Sequence, residues 1–218
     1  MLSIVIPTKN EENNISILLK SIKKTLKKDF EVIIVDSNSK DHTKKLAEEA
    51  AKKLKIRLKS YNTGKFDLSN SAIYGFKKAS GELICLIDGD LQHPPELIPK
   101  MLSTLKKESA DLVVASRFLK ESKIKSFHRR LIAKVFRLFI RFFIPSIRIK
   151  DPATGFFLFK KKIIKDVNLK PHGFRTLIEI LLKAKYRKVI EIPLVFQSRK
   201  GDKSKVNINQ IKSIFSLH

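Results

Sequence analysis

Short apolar runs alternate with amphipathic stretches along the first half of the chain. Five runs rich in Val, Ile and Leu have the composition of buried strands, and they cover 2–6, 31–36, 56–62, 82–88 and 111–117. The stretches between them repeat apolar residues at helical spacing, at about 15–26, 46–54, 68–79 and 95–107. This alternation predicts an α/β fold with a mostly parallel, Rossmann-like sheet and helices on both faces.

The pattern changes after residue 117. Residues 127–144 predict a helix without acids, in which basic residues recur on one face at Arg130, Lys134, Arg137 and Arg141. A basic stripe on an apolar helix is typical of an amphipathic helix in a membrane interface, and also of a core-packing helix whose arginines reach solvent. Strand character returns at 151–159 and 189–197, with an apolar helix near 174–186 between them and a polar loop at 198–205.

Length and composition fit one folded domain, which we place at 1–206, followed by a C-terminal tail at 207–218. Hydrophobic residues make up 43% of the chain, enough for a full core, and Cys85 is the only cysteine, so no internal disulfide is expected. The N-terminus lacks the features of a signal peptide, and no window reaches the ~20 apolar residues that a membrane span needs. The sequence therefore predicts a cytoplasmic protein without a transmembrane segment.

The chain is strongly basic. Lysine and arginine number 46 against 21 acidic residues, which gives a formal net charge of +25. Such an excess favours a polyanionic neighbour, namely nucleic acid, an anionic membrane surface or phosphorylated substrates. A lysine-rich composition on a solvated surface is the alternative, and charge alone does not decide between them.

The fourth apolar run ends in Asp88-Gly89-Asp90. In an open parallel sheet, ligands bind beyond the carboxyl ends of the strands. Two neighbouring carboxylates repel each other unless a cation lies between them, and Mg²⁺ or Mn²⁺ prefers carboxylate, amide and phosphate oxygens. The sequence therefore predicts a divalent metal that holds a diphosphate, with Asp88, Asp90 and the amide oxygen of Gln92 as ligands.

Two more charged residues end strands of the predicted sheet. Asp36 follows the second apolar run and Arg117 the fifth. We expect both to lie at the same rim as Asp88 and Asp90. The alternative is local: Asp36 could begin a turn, and Asp90 could begin the proline-containing loop.

The stretches around these strand ends resemble family 2 inverting glycosyltransferases with the GT-A fold. The similar stretches are "IVIPTKNEE", "VIIVDSNSKDHT", "GELICLIDGDLQHPPE" and "VVASRF". Further stretches are similar to polyprenol-phosphate (dolichyl-phosphate) mannose synthases, namely "DGDLQHPPE", "SRF", "RR" at 129–130, "DPATGFFLFKK", "GFRTLIEIL" and "RKGDKSK". The resemblance runs from about residue 2 to 206.

The resemblance implies a role for each matching residue. Donor-nucleotide contacts are implied for Pro7, Lys9, Glu11, Val35, Asp36, Ser37, Asp88, Gly89, Asp90, Gln92, Arg175, Arg199 and Lys205. Asp88, Asp90 and Gln92 are the implied metal ligands, and Asp90 and Arg117 the implied catalytic residues. Acceptor-phosphate contacts are implied for Arg117, Arg129 and Arg130. Lys9 replaces a usual tyrosine and Ser37 a usual aspartate, so the nucleotide base stays open.

The implied activity is an inverting transfer of a sugar, mannose from GDP-mannose, to a polyprenol or dolichol phosphate, with Mg²⁺ or Mn²⁺ as cofactor. The acceptor phosphate is already anionic near neutral pH, so no protein base is required. The resemblance also implies an anionic membrane surface as partner, peripheral attachment to its cytoplasmic face, and compatibility with a membrane-anchoring subunit.

Two other functions stay open. One is a family 2 transferase with another donor, such as UDP-glucose, or another acceptor. The other is a non-catalytic protein that binds anionic membranes or nucleic acid. Against nucleic acid, the basic residues are not interleaved with aromatic platforms.

Overall fold

A computed structural model of the chain describes residues 1–64, 67–119, 122, 147–170 and 176–195. The strands are β1 Leu2–Thr8, β2 Phe30–Asp36, β3 Arg57–Asn62, β4 Leu83–Leu86, β5 Leu112–Ser116, β6 Phe157–Lys160 and β7 Val189–Pro193. The α-helices are α1 Glu12–Thr25, α2 Thr43–Leu54, α3 Leu68–Lys78, α4 Ile98–Lys107 and α5 Thr176–Lys183. Short 3₁₀ turns cover Pro95–Leu97 and Lys161–Ile164.

The strands form one sheet in the order β3-β2-β1-β4-β6-β5-β7. β1 pairs in parallel with β2 and β4, and β5 pairs in parallel with β7. β6 runs antiparallel to both of its neighbours, β4 and β5. The predicted α/β class with a mostly parallel sheet is confirmed, and β1, β2, β4 and β5 all end at the same edge.

Helices cover both faces of the sheet, as predicted. The apolar sides of α1, α2 and α4 pack on one face, where Leu18 and Met101 are fully buried. α3 and α5 cover the other face, where the ring of Phe76 lies edge-on against Phe159 with centroids 5.1 Å apart. Because both faces are covered, the central strands are mostly apolar, which explains why they read as nearly continuous apolar runs.

β1 continues through Pro7, where the sequence predicted that it would stop. The ladder between β1 and β4 ends at Val5 and Leu86, and the Ile87 N–H donates to the Val5 carbonyl oxygen at 3.1 Å. The backbone nitrogen of Pro7 faces the same side of β1 two residues later, beyond the end of that ladder. Because β4 offers no ladder partner at this position, the N–H that proline lacks costs no hydrogen bond.

The strand predicted at 151–159 is wrong over its first six residues. Only Phe157–Lys160 form a strand, and the residues before them are turns and irregular backbone. Asp151, Pro152 and Gly155 account for this, because aspartate, proline and glycine favour turns over a ladder.

Several predicted segments lie outside the described residues. They are the interfacial helix at 127–144, the loop at 198–205 and the tail at 207–218. Within the part of the chain that the structure does describe, no helix is long and apolar enough to cross a membrane.

The buried carboxylate of Glu31 links residues near the beginnings of several strands. Glu31 of β2 accepts hydrogen bonds from the Ser3 hydroxyl at 2.7 Å and the Ser80 N–H at 2.6 Å, and pairs with the Lys59 ammonium at 2.9 Å. Burial alone would raise the pKa of Glu31, but these bonds from Ser3, Ser80 and Lys59 outweigh it and hold the pKa below its ordinary value. The ionised form is therefore stabilised by folding.

We expect Glu31→Gln to lower the free energy of unfolding by roughly 1–3 kcal/mol near pH 7, because an amide replaces a charged acceptor in a buried network. Because the pKa of Glu31 is lowered in the folded protein, its ionised form stabilises the fold at pH values above the ordinary glutamate pKa of about 4.3. This stabilisation is lost as the pH falls through the folded-state pKa. The difference in unfolding free energy between parent and variant should therefore shrink below about pH 4 in urea titrations. Glu49→Gln, at an exposed position of α2, is the matched control. A deficit that is constant with pH would contradict the assignment.

Candidate active site

The loops that follow β1 and β2 are joined by Asp36. The register of the two strands places Thr8 beside Asp36, and the Thr8 hydroxyl donates to the Asp36 carboxylate at 3.0 Å. The N–H and hydroxyl of Ser39 donate to the same carboxylate, the N–H at 2.7 Å. Asp36 is 3% exposed. These hydrogen bonds join the two loops, and the predicted contact of Asp36 with the nucleotide stays a prediction.

Three other residues predicted to contact the nucleotide are also buried. Val35 is fully buried in the core on the α3 face. The Ser37 hydroxyl lies 2.8 Å from the Ser71 hydroxyl of α3 and is 3% exposed, and Pro7 is buried within β1. These side chains lie beneath the rim residues and are not exposed at the surface.

Glu11 and Gly89 bring the loop after β1 against the loop after β4. Glu11 accepts a hydrogen bond from the Asn14 side-chain amide at 2.8 Å and is buried, whereas Lys9 is exposed. A Cβ atom on Gly89 would lie 3.3 Å from Cγ of Glu11 and 3.5 Å from Cγ2 of Thr8. Glycine therefore permits the close approach of the two loops.

The paired carboxylates lie just beyond β4. Both Asp88 and Asp90 are partly exposed, and the N–H of Gln92 donates to the Asp90 carboxylate at 3.1 Å. Leu91, between Asp90 and Gln92, has a φ of +63°, a left-handed conformation that costs a residue with a side chain about 1–2 kcal/mol. The loop is thus held in a tight turn that keeps Asp90 and Gln92 together.

His93 lies on the buried side of this turn. It is 3% exposed, and its ring stacks on Phe156 with centroids 5.2 Å apart. Burial lowers the pKa of His93 to about 4; the charge of Arg117 acts in the same direction, and the charges of Asp90 and Asp151 oppose it. The ring is therefore neutral at pH 7, and its Nδ1 accepts the Asp88 N–H at 3.4 Å. We regard the 3.5 Å approach of Nδ1 to the Asp88 carboxylate as a neutral contact rather than an ion pair.

Arg117 follows β5 and forms a bidentate ion pair with Asp151. Its Nε and Nη2 donate to the two carboxylate oxygens at 2.8 and 2.7 Å, and its backbone N–H donates at 2.9 Å. Burial alone would lower the pKa of Arg117, but the bonds and charge of Asp151, with the charge of Asp88, raise it above its ordinary value. A permanent positive charge thus lies within the electrostatic reach of Asp88.

The structure adds residues that the sequence reasoning missed. His93, Asp151 and Gly155 support the predicted site residues, and Glu191 of β7 holds the Asp151 backbone N–H at 3.0 Å. His93, Asp151 and Gly155 fall inside stretches that carried the family resemblance, which was the available signal. Nothing local in the sequence singles out Glu191.

The remaining predicted site residues lie outside the described residues. They are Arg129, Arg130, Arg175, Arg199 and Lys205. The rim as described therefore comprises Asp88, Asp90, Gln92 and Arg117 with the residues that support them.

The donor set fits a divalent cation that shares its coordination with a ligand. No group of three or more His, Cys, Asp and Glu side chains that could hold a metal occurs among the described residues. Two carboxylates and an amide supply only part of a shell, and Mg²⁺-type ions complete such shells with water and substrate phosphates. Asp88 and Asp90 are partly exposed and meet that description, whereas Gln92 is 8% exposed and touches Asp90 through its backbone N–H.

Solved structures of glucosyl-3-phosphoglycerate synthase from Mycobacterium tuberculosis share this fold. One of them, determined with Mn²⁺, UDP and glucosyl-3-phosphoglycerate, superimposes with a TM-score of 0.70 at 16% identity and covers 98% of this chain and 75% of that chain. A second, with Mn²⁺, UDP and phosphoglyceric acid, gives a TM-score of 0.71 at 18% identity, covering 98% of this chain and 74% of that one. The fold is the GT-A type expected from the sequence.

The family model for glycosyl transferase family 2 matches residues 3–167, and the chain belongs to this family. A dolichol-phosphate mannosyltransferase of Pyrococcus furiosus is 40% identical over 208 residues, covering 94% of this chain and 58% of the relative. One from Saccharomyces cerevisiae is 27% identical, covering 98% of this chain and 86% of the relative. An undecaprenyl-phosphate 4-deoxy-4-formamido-L-arabinose transferase of Proteus mirabilis is 32% identical, covering 93% and 62%. The chain therefore spans less than two thirds of the Pyrococcus and Proteus relatives.

The role of Asp36 can be tested by stability. We expect Asp36→Asn to lower the free energy of unfolding by about 1–2 kcal/mol, because an amide offers one acceptor oxygen where three donors converge. Chemical denaturation measures this loss. Asp29→Asn is the matched control, since Asp29 is exposed and its φ of +61° suits asparagine as well as aspartate. Equal stabilities of the two variants would show that Asp36 does not organise the loops.

Proposed function

We propose that the protein transfers a sugar, with inversion, from a nucleotide-diphospho-sugar to a polyprenol or dolichol phosphate, and that the donor is GDP-mannose. One observation carries the proposal. In a family 2 chain that is 40% identical to a dolichol-phosphate mannosyltransferase, Asp88 and Asp90 are partly exposed beyond a central strand, and Arg117 is within electrostatic reach of Asp88. The identity supports the acceptor class, and the geometry supports the handling of a diphosphate.

Asp88, Asp90 and Gln92 would hold Mg²⁺ or Mn²⁺ together with the donor diphosphate. When bound, such an ion stabilises the negative charge that develops on a leaving diphosphate. The tight turn at Leu91 keeps Asp90 and Gln92 in place, and Gly89 lets this loop lie against Glu11. The chain thus supplies a prearranged rim, which limits reorganisation during the reaction.

The acceptor needs no activation by a protein base. A phosphate monoester with a second pKa of about 6 is largely dianionic near pH 7 and can attack the anomeric carbon directly. His93 is buried and neutral, so we assign it no proton transfer. Arg117 would attract the acceptor phosphate, and positioning with electrostatics would supply most of the rate. A single displacement converts an α-linked donor into a β-linked product.

The basic residues outside the described part of the chain extend this proposal. By family resemblance, Arg129 and Arg130 would contact the lipid phosphate, and Arg175, Arg199 and Lys205 the donor. Arg and Lys are suited to this role because Arg clamps phosphate oxygens in pairs and Lys acts as a compact charge.

A second donor deserves the same test because of two residues in the predicted nucleoside site. Lys9 is exposed and Ser37 is hydrogen-bonded to Ser71, and neither is the residue usual in the resembling family. UDP-glucose is therefore the alternative donor.

The proposal places the protein peripherally on the cytoplasmic face of an anionic membrane, where a membrane-anchoring subunit would be compatible with it. We expect reversible flotation with anionic liposomes that weakens as salt rises, because screening reduces the attraction of Lys and Arg to lipid head groups. Lys134→Glu with Arg137→Glu, in the segment 127–144, should weaken flotation more than Lys45→Glu with Lys52→Glu on the exposed side of α2. Both pairs change the net charge equally, so equal losses would remove the specific role of the segment.

The reaction itself is tested by mass spectrometry of the product. The protein is incubated with a short polyprenyl phosphate and a panel containing GDP-mannose and UDP-glucose. We expect a mannosyl lipid phosphate from GDP-mannose, formed with Mg²⁺ or Mn²⁺ and abolished by excess EDTA. Turnover in EDTA equal to that with metal would end the metal proposal, and transfer only from UDP-glucose would replace the donor.

Asp90→Asn tests the carboxylate pair in the same assay. We expect at least a tenfold loss of kcat/KM, because removing one carboxylate weakens the hold on the cation and diphosphate. Asp166→Asn is the matched control, since Asp166 is exposed in a turn with a φ of +61°. Parent-like turnover by Asp90→Asn would remove Asp90 from the site.

A further inference from the structure

One short segment touches the candidate site at three points. Residues 151–156, the backing segment, precede β6 and pass behind the loops that follow β4 and β5. The three contacts are Asp151 with Arg117, Gly155 with Asp88, and Phe156 with His93. None of the backing residues was predicted to be part of the site.

We propose that the backing segment is the positioning element of the site, in which Asp151 fixes the Arg117 guanidinium and Gly155 sets the place of the Asp88 carboxylate. The proposal rests on the proposed function for what Arg117 and Asp88 do. It adds that the backing segment holds both side chains in position before the ligand binds.

Asp151 is built to hold Arg117 in one orientation. It is 1% exposed, and its two carboxylate oxygens receive the backbone N–H, Nε and Nη2 of Arg117. The backbone N–H groups of Lys150 and Asp151 in turn donate to the Glu191 carboxylate at 2.8 and 3.0 Å. Both ends of the ion pair are therefore anchored to strands of the sheet.

This arrangement makes Asp151 a support for Arg117 and not a competitor of the phosphate. If Arg117 swung away to meet an anion, Asp151 would remain as a buried carboxylate without its main partner, which is strongly unfavourable. The phosphate must therefore come to Arg117 where it lies. Preorganised charge of this kind is effective because no reorganisation is needed when the anion arrives.

Gly155 contributes to the position of Asp88 because it has no side chain. A Cβ atom on Gly155 would lie 2.6 and 2.7 Å from the two carboxylate oxygens of Asp88. Any side chain there would displace the carboxylate, because real Cβ contacts are not that short. The bare glycine backbone thus forms the wall against which Asp88 rests.

Asp151→Asn tests the first half, with Asp111→Asn as its matched control. Asp111 begins the same β5 region at the opposite edge, where it pairs with Lys160 at 2.9 Å and accepts the Arg187 N–H at 2.9 Å. Both variants should lose thermal stability. Only Asp151→Asn should raise KM for a short polyprenyl phosphate, by tenfold or more, with a smaller change in kcat. An unchanged or lower KM would overturn the positioning role and make Asp151 a competitor.

A readout that needs no activity accompanies the kinetics. In ¹H–¹⁵N spectra the Nε–H of Arg117 should exchange slowly with water in the parent and in Asp111→Asn, and fast in Asp151→Asn. Equal exchange in all three proteins would refute the fixed orientation. If the parent transfers no sugar, the proposed function fails, and this signal still decides the positioning by itself.

Gly155→Ala tests the second half, with Gly81→Ala as its control. A Cβ on Gly81 would lie 2.6 Å from the Met1 carbonyl oxygen, a backbone atom, so this variant is at least as crowded but lies at the other end of β4 from Asp88. We expect titration calorimetry with Mn²⁺ in the presence of GDP to show at least tenfold weaker binding for Gly155→Ala and parent-like binding for Gly81→Ala. Parent-like binding by both variants would show that Gly155 does not set the place of Asp88.

Discussion

Two carboxylates at the end of a buried strand are the constraint on which the rest of the rim depends. Asp88 and Asp90 repel each other, so the fold must supply positive charge nearby without cancelling theirs. Arg117, whose charge acts on Asp88, provides that charge, and Asp151 forms an ion pair with it. The neutral His93 fills the space behind the turn without adding a second charge. Under the proposed function, such a rim would receive a cation and an anion together.

The sequence predicted the scaffold well because periodicity reports burial directly. Continuous apolar runs such as 31–36 mark strands covered on both faces, and the structure confirms them. Periodicity carries no information about strand order, so the insertion of antiparallel β6 between β4 and β5 could not be predicted. The wrong strand prediction at 151–156 has a different cause, because Asp151, Pro152 and Gly155 favour turns and were a local signal that the prediction passed over.

For the site, the sequence could identify residues at strand ends but not the direction of their side chains. Asp90 and Arg117 lie at the rim as expected, whereas Val35 points into the core and Asp36 is engaged by Thr8 and Ser39. The supporting residues were harder to find, because their partners are distant in the chain. The link from Glu191 to Asp151 spans 40 residues, and only the assembled sheet brings the two together.

The position of β6 has a consequence for the order in which the molecule assembles. β1 to β4 can pair as they are synthesised, but the outer edge of β4 stays open until β6 arrives about 70 residues later. Closing so long a loop is entropically costly, and such non-local pairing is slow. Because the lead-in to β6 also carries Asp151 and Gly155, the sheet edge and the site are completed in the same late event. A nascent chain released before that event would expose an unpaired strand edge and hold a divided site.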